Sequence, residues 1–432
     1  MKSNKIETIA VHGGQKPDPV SKARGMSVCR TTAYVFDSAE HASNLFALKE
    51  LGFIYSRLGD PTSQILETRL AQMEGGSAAV VTSSGTSAVH YTALTLARAG
   101  DEIVAASNLY GGTHTMFKIL LPDQGITVKF ADSNRPDSFR DQITSKTRFL
   151  FVETMGNPAL DMPDISALAK IAHEHHIPLV VDSTFTPPTL YRPIEDGADI
   201  VIHSLSKWIG GHGAAMGGAI IDSGKFDWKN SNVPLFNEPD GNYHGIRWAH
   251  DLPTELAPQA FALRFRTVPL RNLGACLSPD NSWIFLIGCE TLHLRMERHN
   301  ENAFAVARFL KKHPEISWVR YPGFEGDPSY TVASKQLKKG FGGMVVFGIK
   351  AGKGKSATER GRKFIENLSL FSHVTNVGDT KSLATHPAST THSQLTEEEQ
   401  KATGLPPELI RLSIGIEHID DIIADLEQAL AN

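Results

Sequence analysis

Short runs of consecutive apolar residues recur through the first half of the chain: Ala78–Val81, Ile103–Ala105, Ile126–Phe130, Phe149–Val152, Leu179–Val181, Ile200–Ile202 and Ala219–Ile221. Runs of this length without alternation are what strands buried on both faces require. Between them, Ser87–Arg98, Thr113–Leu121 and Ile165–His176 have helical patterns. The alternation predicts βαβ units and a mostly parallel α/β sheet of seven strands, covered by helices on both sides. From about residue 269 the pattern changes. A helical segment over Ser282–Lys312 leads to strands at Gly343–Ile349 and Leu409–Ile416, and Ile419, Ile422, Ile423, Leu426 and Leu430 mark an amphipathic helix packed on them. In Leu409–Ile416 the apolar positions 410, 412, 414 and 416 share a face, leaving Arg411 and Ser413 on the other. Residues 1–62 show no period and predict an extended arm with one or two short helices. The expected organisation is therefore an arm (1–62), a large α/β domain (63–268) and a smaller α+β domain (269–432). Within the loop-rich stretch 222–260, the aperiodic Phe236–Gly245 reads as a functional surface loop.

Charge narrows the partners. A formal net charge of −4 over 432 residues, with Lys and Arg dispersed, gives no footprint for nucleic acid. The 3 cysteines, Cys29, Cys276 and Cys289, lie far apart without CxxC spacing, so a reducing compartment is expected. The polar first twenty residues lack the apolar core of a secretory signal, and no run reaches the roughly 18 apolar residues of a membrane span. A soluble, cytoplasmic protein is expected.

Candidate chemistry collects where strands end, the place at which a parallel sheet offers its ligand site. Ile200–Ile202 runs into Ser204-Leu205-Ser206-Lys207, followed by Gly210-Gly211-His212-Gly213. A lysine at the exit of a buried strand loses hydration, which lowers its pKa toward the range where a neutral amine attacks carbonyls and forms Schiff bases. A solvated strand end is the other reading of the same lysine. After Ala78–Val81, Thr82-Ser83-Ser84-Gly85-Thr86-Ser87 opens a helix whose free N–H groups suit a phosphate; a plain cap by Ser84 or Thr86 uses the same residues. Tyr110 presents a ring for stacking or for packing, and Asn157 sits in the turn Gly156-Asn157-Pro158. Asp182 emerges directly from Leu179–Val181 and needs a cationic partner, either a pyridinium N–H or an arginine. An amine, a phosphate pocket, a stacking ring and a buried acid are together the parts of a pyridoxal phosphate site. Rival motifs are incomplete: Met216 stands where a third dinucleotide-binding glycine belongs, and Ile349 where the first P-loop glycine belongs. His173-Glu174-His175-His176 lacks the histidine spacing of a zinc helix.

Ser204-Leu205-Ser206-Lys207 with Gly-Gly-His-Gly resembles the lysine motif of the Cys/Met-metabolism pyridoxal phosphate enzymes. Tyr55-Ser56-Arg57 with Pro61-Thr62, Leu109-Tyr110-Gly111-Gly112-Thr113, Gly156-Asn157-Pro158 and His386-Pro387-Ala388-Ser389-Thr390-Thr391-His392 match that family in the same order, from about Glu7 to the C-terminus. The stretches from Asn237 to Gly245 and Asn376-Val377-Gly378-Asp379 are similar to its O-acetylhomoserine sulfhydrylases. The resemblance implies an aminotransferase-like fold of type I, pyridoxal 5'-phosphate as cofactor, and conversion of O-acetyl-L-homoserine and sulfide to L-homocysteine and acetate. A methionine γ-lyase, a cystathionine γ-synthase type of enzyme and an O-succinylhomoserine sulfhydrylase are the alternatives. By the same resemblance Lys207 and Tyr110 are catalytic, and Asp182 pairs with the ring nitrogen. Thr184 and Asn157 lie near the ring oxygen. Gly85, Thr86, Ser204 and Ser206 hold the phosphate, and Arg411 and Asn376 take the substrate carboxylate. It further implies a homotetramer in which Tyr55 and Arg57 reach a neighbouring chain's phosphate. Two positions depart from the family pattern: Asp60 stands where asparagine is usual, placing negative charge near a phosphate, and Thr86 replaces the methionine of lyase relatives.

Overall fold

The computed structural model describes residues 4–352, 354–390 and 406–431. Strands β1 (Ala78–Thr82), β2 (Glu102–Ala106), β3 (Thr127–Ala131), β4 (Thr147–Glu153), β5 (Leu179–Asp182), β6 (Ile200–Ser204) and β7 (Gly218–Asp222) form a 7-stranded sheet in the order β1-β7-β6-β5-β4-β2-β3. β7 runs antiparallel to β1 and β6, and the other pairs are parallel. All the expected strands are present, because a strand covered on both faces carries apolar residues without alternation. Phe149, Leu150, Val180, Val181, Ile200 and Ile202 are fully buried.

The helix Gly85–Leu96 packs on β6 and β7, and Ile165–Glu174 packs on β4 and β5. A helix over Pro61–Glu74, which the apolar pattern did not announce, packs on β1 and β7. The helical segment from Ser282 to Lys312 is two helices, Pro279–Glu290 and Leu292–Lys312, parted at Thr291. The second of these starts in the core under the first sheet with Leu292 and Met296 and ends in another core with Ala303, Val306 and Leu310.

That other core lies on a 5-stranded sheet of β8 (Ile316–Arg320), β9 (Met344–Ile349), β10 (Ser372–His373), β11 (Leu383–Thr385) and β12 (Leu409–Ser413), ordered β10-β11-β12-β9-β8. Ile410, Leu412 and Ile414 enter its core as the alternation predicted, together with Ile422, Leu426 and Leu430 of the last helix, Ile419–Ala431.

The aperiodic segment Phe236–Gly245 is a surface loop for most of its length, but Phe236, Asp240 and Tyr243 are buried and pin it to the fold. Phe236 stacks on Trp228 with ring centroids 3.9 Å apart, and buried Asp240 accepts from Trp248 Nε1 at 2.9 Å and pairs with Arg264 at 3.2 Å. One of these anchors is a carboxylate and their partners Trp228, Trp248 and Arg264 lie outside the segment, so no apolar period marks them.

Candidate active site

Topology brings the chemistry to one edge. Because β7 is antiparallel, its first residue Gly218 lies opposite the last residues of both neighbours, Thr82 and Ser204. Next along the sheet Asp182 pairs with Ile202, and Glu153 pairs with Asp182. The loops leaving these ends enclose a cavity of about 500 Å³ lined by Gly85, Thr86, Tyr110, Asn157, Asp182, Thr184, Ser204, Ser206, Lys207, Asn376 and Arg411, among others. That volume suits a small-molecule site. Asn376 and Arg411 reach it from the side of the second sheet.

Lys207 follows β6 through a turn in which its N–H donates to Ser204 O at 3.2 Å and Gly211 N donates to its carbonyl at 2.7 Å. The neighbouring Trp208 is fully buried and fixes the turn. Lys207 Nζ donates to Asn376 Oδ1. Burial first, then repulsion from Arg411, lowers the amine's pKa from its ordinary value. Arg411 donates from Nη1 to Asn157 Oδ1 at 2.8 Å and from Nη2 to the Thr375 carbonyl at 3.2 Å, and burial brings its pKa down to about 10.

The Ser84 turn is a helix cap, and the cap leaves the other first-turn N–H groups free. Ser84 Oγ accepts from Ser87 N at 3.1 Å while Ser87 Oγ accepts from Ser84 N at 3.1 Å, a reciprocal cap. Gly85 and Thr86 then carry first-turn N–H groups that have no acceptor within the helix. A Cβ on Gly85 would stand 2.7 Å from Ser204 Cβ, so only glycine lets this helix start close onto the end of β6. Ser206 Oγ accepts from Gly217 N at 3.0 Å on the same rim.

Asp182 is held by Thr184, whose N–H and Oγ1–H both donate to its Oδ1, at 2.9 and 2.6 Å. Thr184 Oγ1 in turn accepts from Ser204 N at 2.8 Å, linking β5 to β6. Burial raises the Asp182 carboxyl above its ordinary range against the pull of these bonds. Behind this row, buried His203 and Glu74 pair at 3.0 Å. A dehydrated amine, a rim of N–H and hydroxyl groups, and a half-buried acid that no arginine or lysine pairs with among the described residues fit pyridoxal phosphate in amine, phosphate and ring nitrogen.

Tyr55 and Arg57 do not line this cavity. Tyr55 is exposed, the Arg57 guanidinium lies 5.0 Å over its ring, and Arg57 Nε donates to the Arg271 carbonyl at 3.0 Å. His386 is buried with Nε2 2.8 Å from the Pro407 carbonyl; Thr391 and His392 of the same stretch lie outside the described residues. Asp60 is buried and its carboxylate accepts from Thr62 N and Ser63 N, each at 2.9 Å, at the start of the helix Pro61–Glu74. Its charge is thus directed at a helix N-terminus.

Sequence reasoning passed over Glu153, which lines the cavity and accepts from Tyr110 N at 2.6 Å. The signal that singles out Asp182, an acid directly after a buried apolar run, is present at Glu153 as well. Thr375 and Phe185, further lining residues, left no such mark.

Residues 7–431 match the family model described as Cys/Met metabolism PLP-dependent enzyme. The chain is 50% identical to an O-acetyl-L-homoserine sulfhydrylase of Leptospira meyeri, over 99% of this chain and 97% of the relative. It is 48% identical to a homocysteine synthase of Schizosaccharomyces pombe, over 100% and 99%. A solved structure from Campylobacter jejuni, provisionally assigned as an O-acetylhomoserine (thiol)-lyase and containing a pyridoxyl-lysine monophosphate, superposes with a TM-score of 0.93 at 39% identity, covering 99% of this chain and 100% of that one. The fold is therefore the aminotransferase-like one the sequence led us to expect, and the chain belongs to the Cys/Met metabolism PLP-dependent enzyme family.

Proposed function

We propose that this chain converts O-acetyl-L-homoserine and sulfide to L-homocysteine and acetate. The observation that carries the reading is a dehydrated amine and a buried guanidinium facing one cavity, in a chain whose full-length relatives are named for this chemistry. Those names favour γ-replacement on the acetyl ester over the γ-lyase, γ-synthase and succinyl-ester alternatives.

When bound, pyridoxal 5'-phosphate supplies an aldehyde for amine linkage and a ring that withdraws electrons from the substrate carbons. Lys207 would hold the aldehyde carbon and, once the substrate amine has displaced it, its neutral amine would take the proton at Cα and, after giving that proton up, the one at Cβ. Gly85, Thr86, Ser204 and Ser206 bind the phosphate through N–H and O–H groups, and Asp182 keeps a proton at the ring nitrogen. Tyr110 lies against the ring, and Thr184 and Asn157 support its surroundings. Arg411 grips the substrate carboxylate with two parallel donors, and Asn376, already bonded to Lys207, holds amine and carboxylate in register.

The same reading divides the chain into an arm of residues 1–62, a cofactor domain of 63–268 and a small domain of 269–432, working as a cytoplasmic homotetramer. Tyr55 and Arg57 complete a neighbouring chain's phosphate site; the support is that they stand outside their own chain's cavity, exposed and stacked on each other. No helix among the described residues is long and apolar enough to cross a membrane.

The test is a product assay. Protein loaded with pyridoxal phosphate should form homocysteine from O-acetyl-L-homoserine and sulfide faster than from the succinyl ester, with little 2-oxobutanoate released. Dominant 2-oxobutanoate release, or preference for the succinyl ester, would overturn the reading.

A further inference from the structure

Glu153 and Asp182 end adjacent parallel strands and stand opposite each other in register, both in the wall of the cavity. The cavity's cations are directed elsewhere: Lys207 to Asn376, and Arg411 to Asn157 and the Thr375 carbonyl. Two carboxylates side by side in a dry wall cannot both ionise at low cost, so one keeps a proton. The bonds around them decide which. Asp182 Oδ1 accepts from both the N–H and the hydroxyl of Thr184, and these donors favour its charged form. Glu153 has one such donor, the Tyr110 N–H at 2.6 Å. Burial, followed by the Asp182 charge, pushes the Glu153 carboxyl well above its ordinary range, while Asp182 is raised against the pull of Thr184.

Tyr110 is the residue just before the helix that begins at Gly111, and its own backbone, at φ −49° and ψ 134°, is not helical, so its N–H falls outside that helix. The Glu153 bond is therefore what ties the Tyr110 backbone to the sheet. With the ring half-exposed over the cavity, the direction of that backbone sets where the ring lies.

We propose that Glu153 is a positioning residue of this site: as a neutral acid beside Asp182, it holds the Tyr110 N–H and so fixes the Tyr110 ring against the cofactor, leaving the negative charge of the pair on Asp182. The cofactor part of this statement rests on the proposed function; the hydrogen bond does not. The groups facing Glu153 are Asp182 on the adjacent strand and Tyr110 on the loop, with Lys207 and Arg411 across the cavity.

The experiment compares Glu153→Gln, which keeps an acceptor oxygen and is neutral at every pH, with Glu153→Met, which has similar bulk and no oxygen acceptor. Amide hydrogen exchange at Tyr110 is read on the cofactor-free protein, and kcat, KM and the absorption of bound cofactor on the loaded enzyme. Gln should keep the Tyr110 amide protected and kcat within about threefold, whereas Met should speed its exchange and lower kcat by about tenfold or more, the scale of one lost buried hydrogen bond. KM should change less than kcat, since Arg411 is untouched. Gln behaving like Met would show that the ionised form is needed and overturn the neutral acid; Met retaining both protection and kcat would overturn the positioning role. Because the exchange measurement uses no substrate, failure of the wild-type homocysteine assay would remove the functional reading and leave the exchange result intact.

Discussion

Lys207 and Arg411 are cations facing one dry cavity, and each makes the other's charge more costly. For Lys207 burial is the larger cause of the lowered pKa and the Arg411 charge the second. A lowered amine pKa means a larger neutral, nucleophilic fraction at any pH below it. Removing the Arg411 charge while keeping the burial should therefore move the amine's pKa part of the way back up. We expect cofactor-free Arg411→Met to capture pyridoxal phosphate with a pH midpoint above that of the wild type. Stopped-flow absorbance across a pH series measures it, and an unmoved midpoint would separate the two charges. Lys207, Asp182 and Arg411 were legible in the sequence because each is a charge interrupting or ending an apolar run. Glu153 carries the same mark, directly after Phe149–Val152, but the turn Gly156-Asn157-Pro158 that follows is the more conspicuous feature of that strand exit. The bond from Lys207 to Asn376 left no local trace, since it exists only once the second sheet is packed in place.

The helix Pro61–Glu74 shows what a single element hides. Its inward face carries charge: Glu67 accepts from Val81 N at 3.0 Å and pairs with Arg266 at 2.7 Å, Arg69 donates to the Gly13 carbonyl at 3.0 Å, and Glu74 pairs with His203. Glu67, Arg69 and Glu74 each find partners only outside the helix, so the core-facing stripe does not look apolar. Strands β10 and β11 are too short for a period, and β8 has Ser317 and Arg320 among its five residues. The parallel strands were legible for the opposite reason, as uninterrupted apolar runs. The start of this helix depends on Asp60, whose carboxylate also accepts from Ser63 Oγ at 2.5 Å in a buried setting shared with Ser282. Asp60→Ala should lower stability by about 1–2 kcal/mol, measured by urea unfolding of the cofactor-free protein. Asp60→Asn, with an oxygen still able to cap, should cost less than half of that. If alanine is as stable as wild type, the acid has another role, and its departure from the family's asparagine would need a reason at the phosphate.

At the scale of the whole molecule, the arm that carries Tyr55 and Arg57 is tied to its own chain at several points. Arg57 donates to the Arg271 carbonyl, and Tyr243 Oη donates to the Phe46 carbonyl at 2.7 Å. An arm held at these points presents Tyr55 and Arg57 outward, away from the cavity beside Lys207; in the proposed shared site that face meets a two-fold partner. Mixing inactive Arg57→Ala with inactive Lys207→Ala under conditions of subunit exchange should restore activity, since each mixed pair holds one site with both defects and one with neither. Absence of recovery, with exchange verified by mass, would place each site within one chain.

Meanwhile the site draws on two sheets in a fixed order along the chain. Every strand of the first sheet precedes residue 223, and with them Lys207, Asp182 and the Ser84 turn, whereas Arg411 stands on the last strand of the second. During synthesis the amine of Lys207 thus leaves the ribosome roughly 200 residues ahead of the Arg411 guanidinium, a lag of ~10–40 s at ~5–20 residues per second. Until Arg411 emerges, the nascent lysine is free of the one named charge that opposes its protonation, and the cofactor platform exists as polypeptide before anything that selects a substrate.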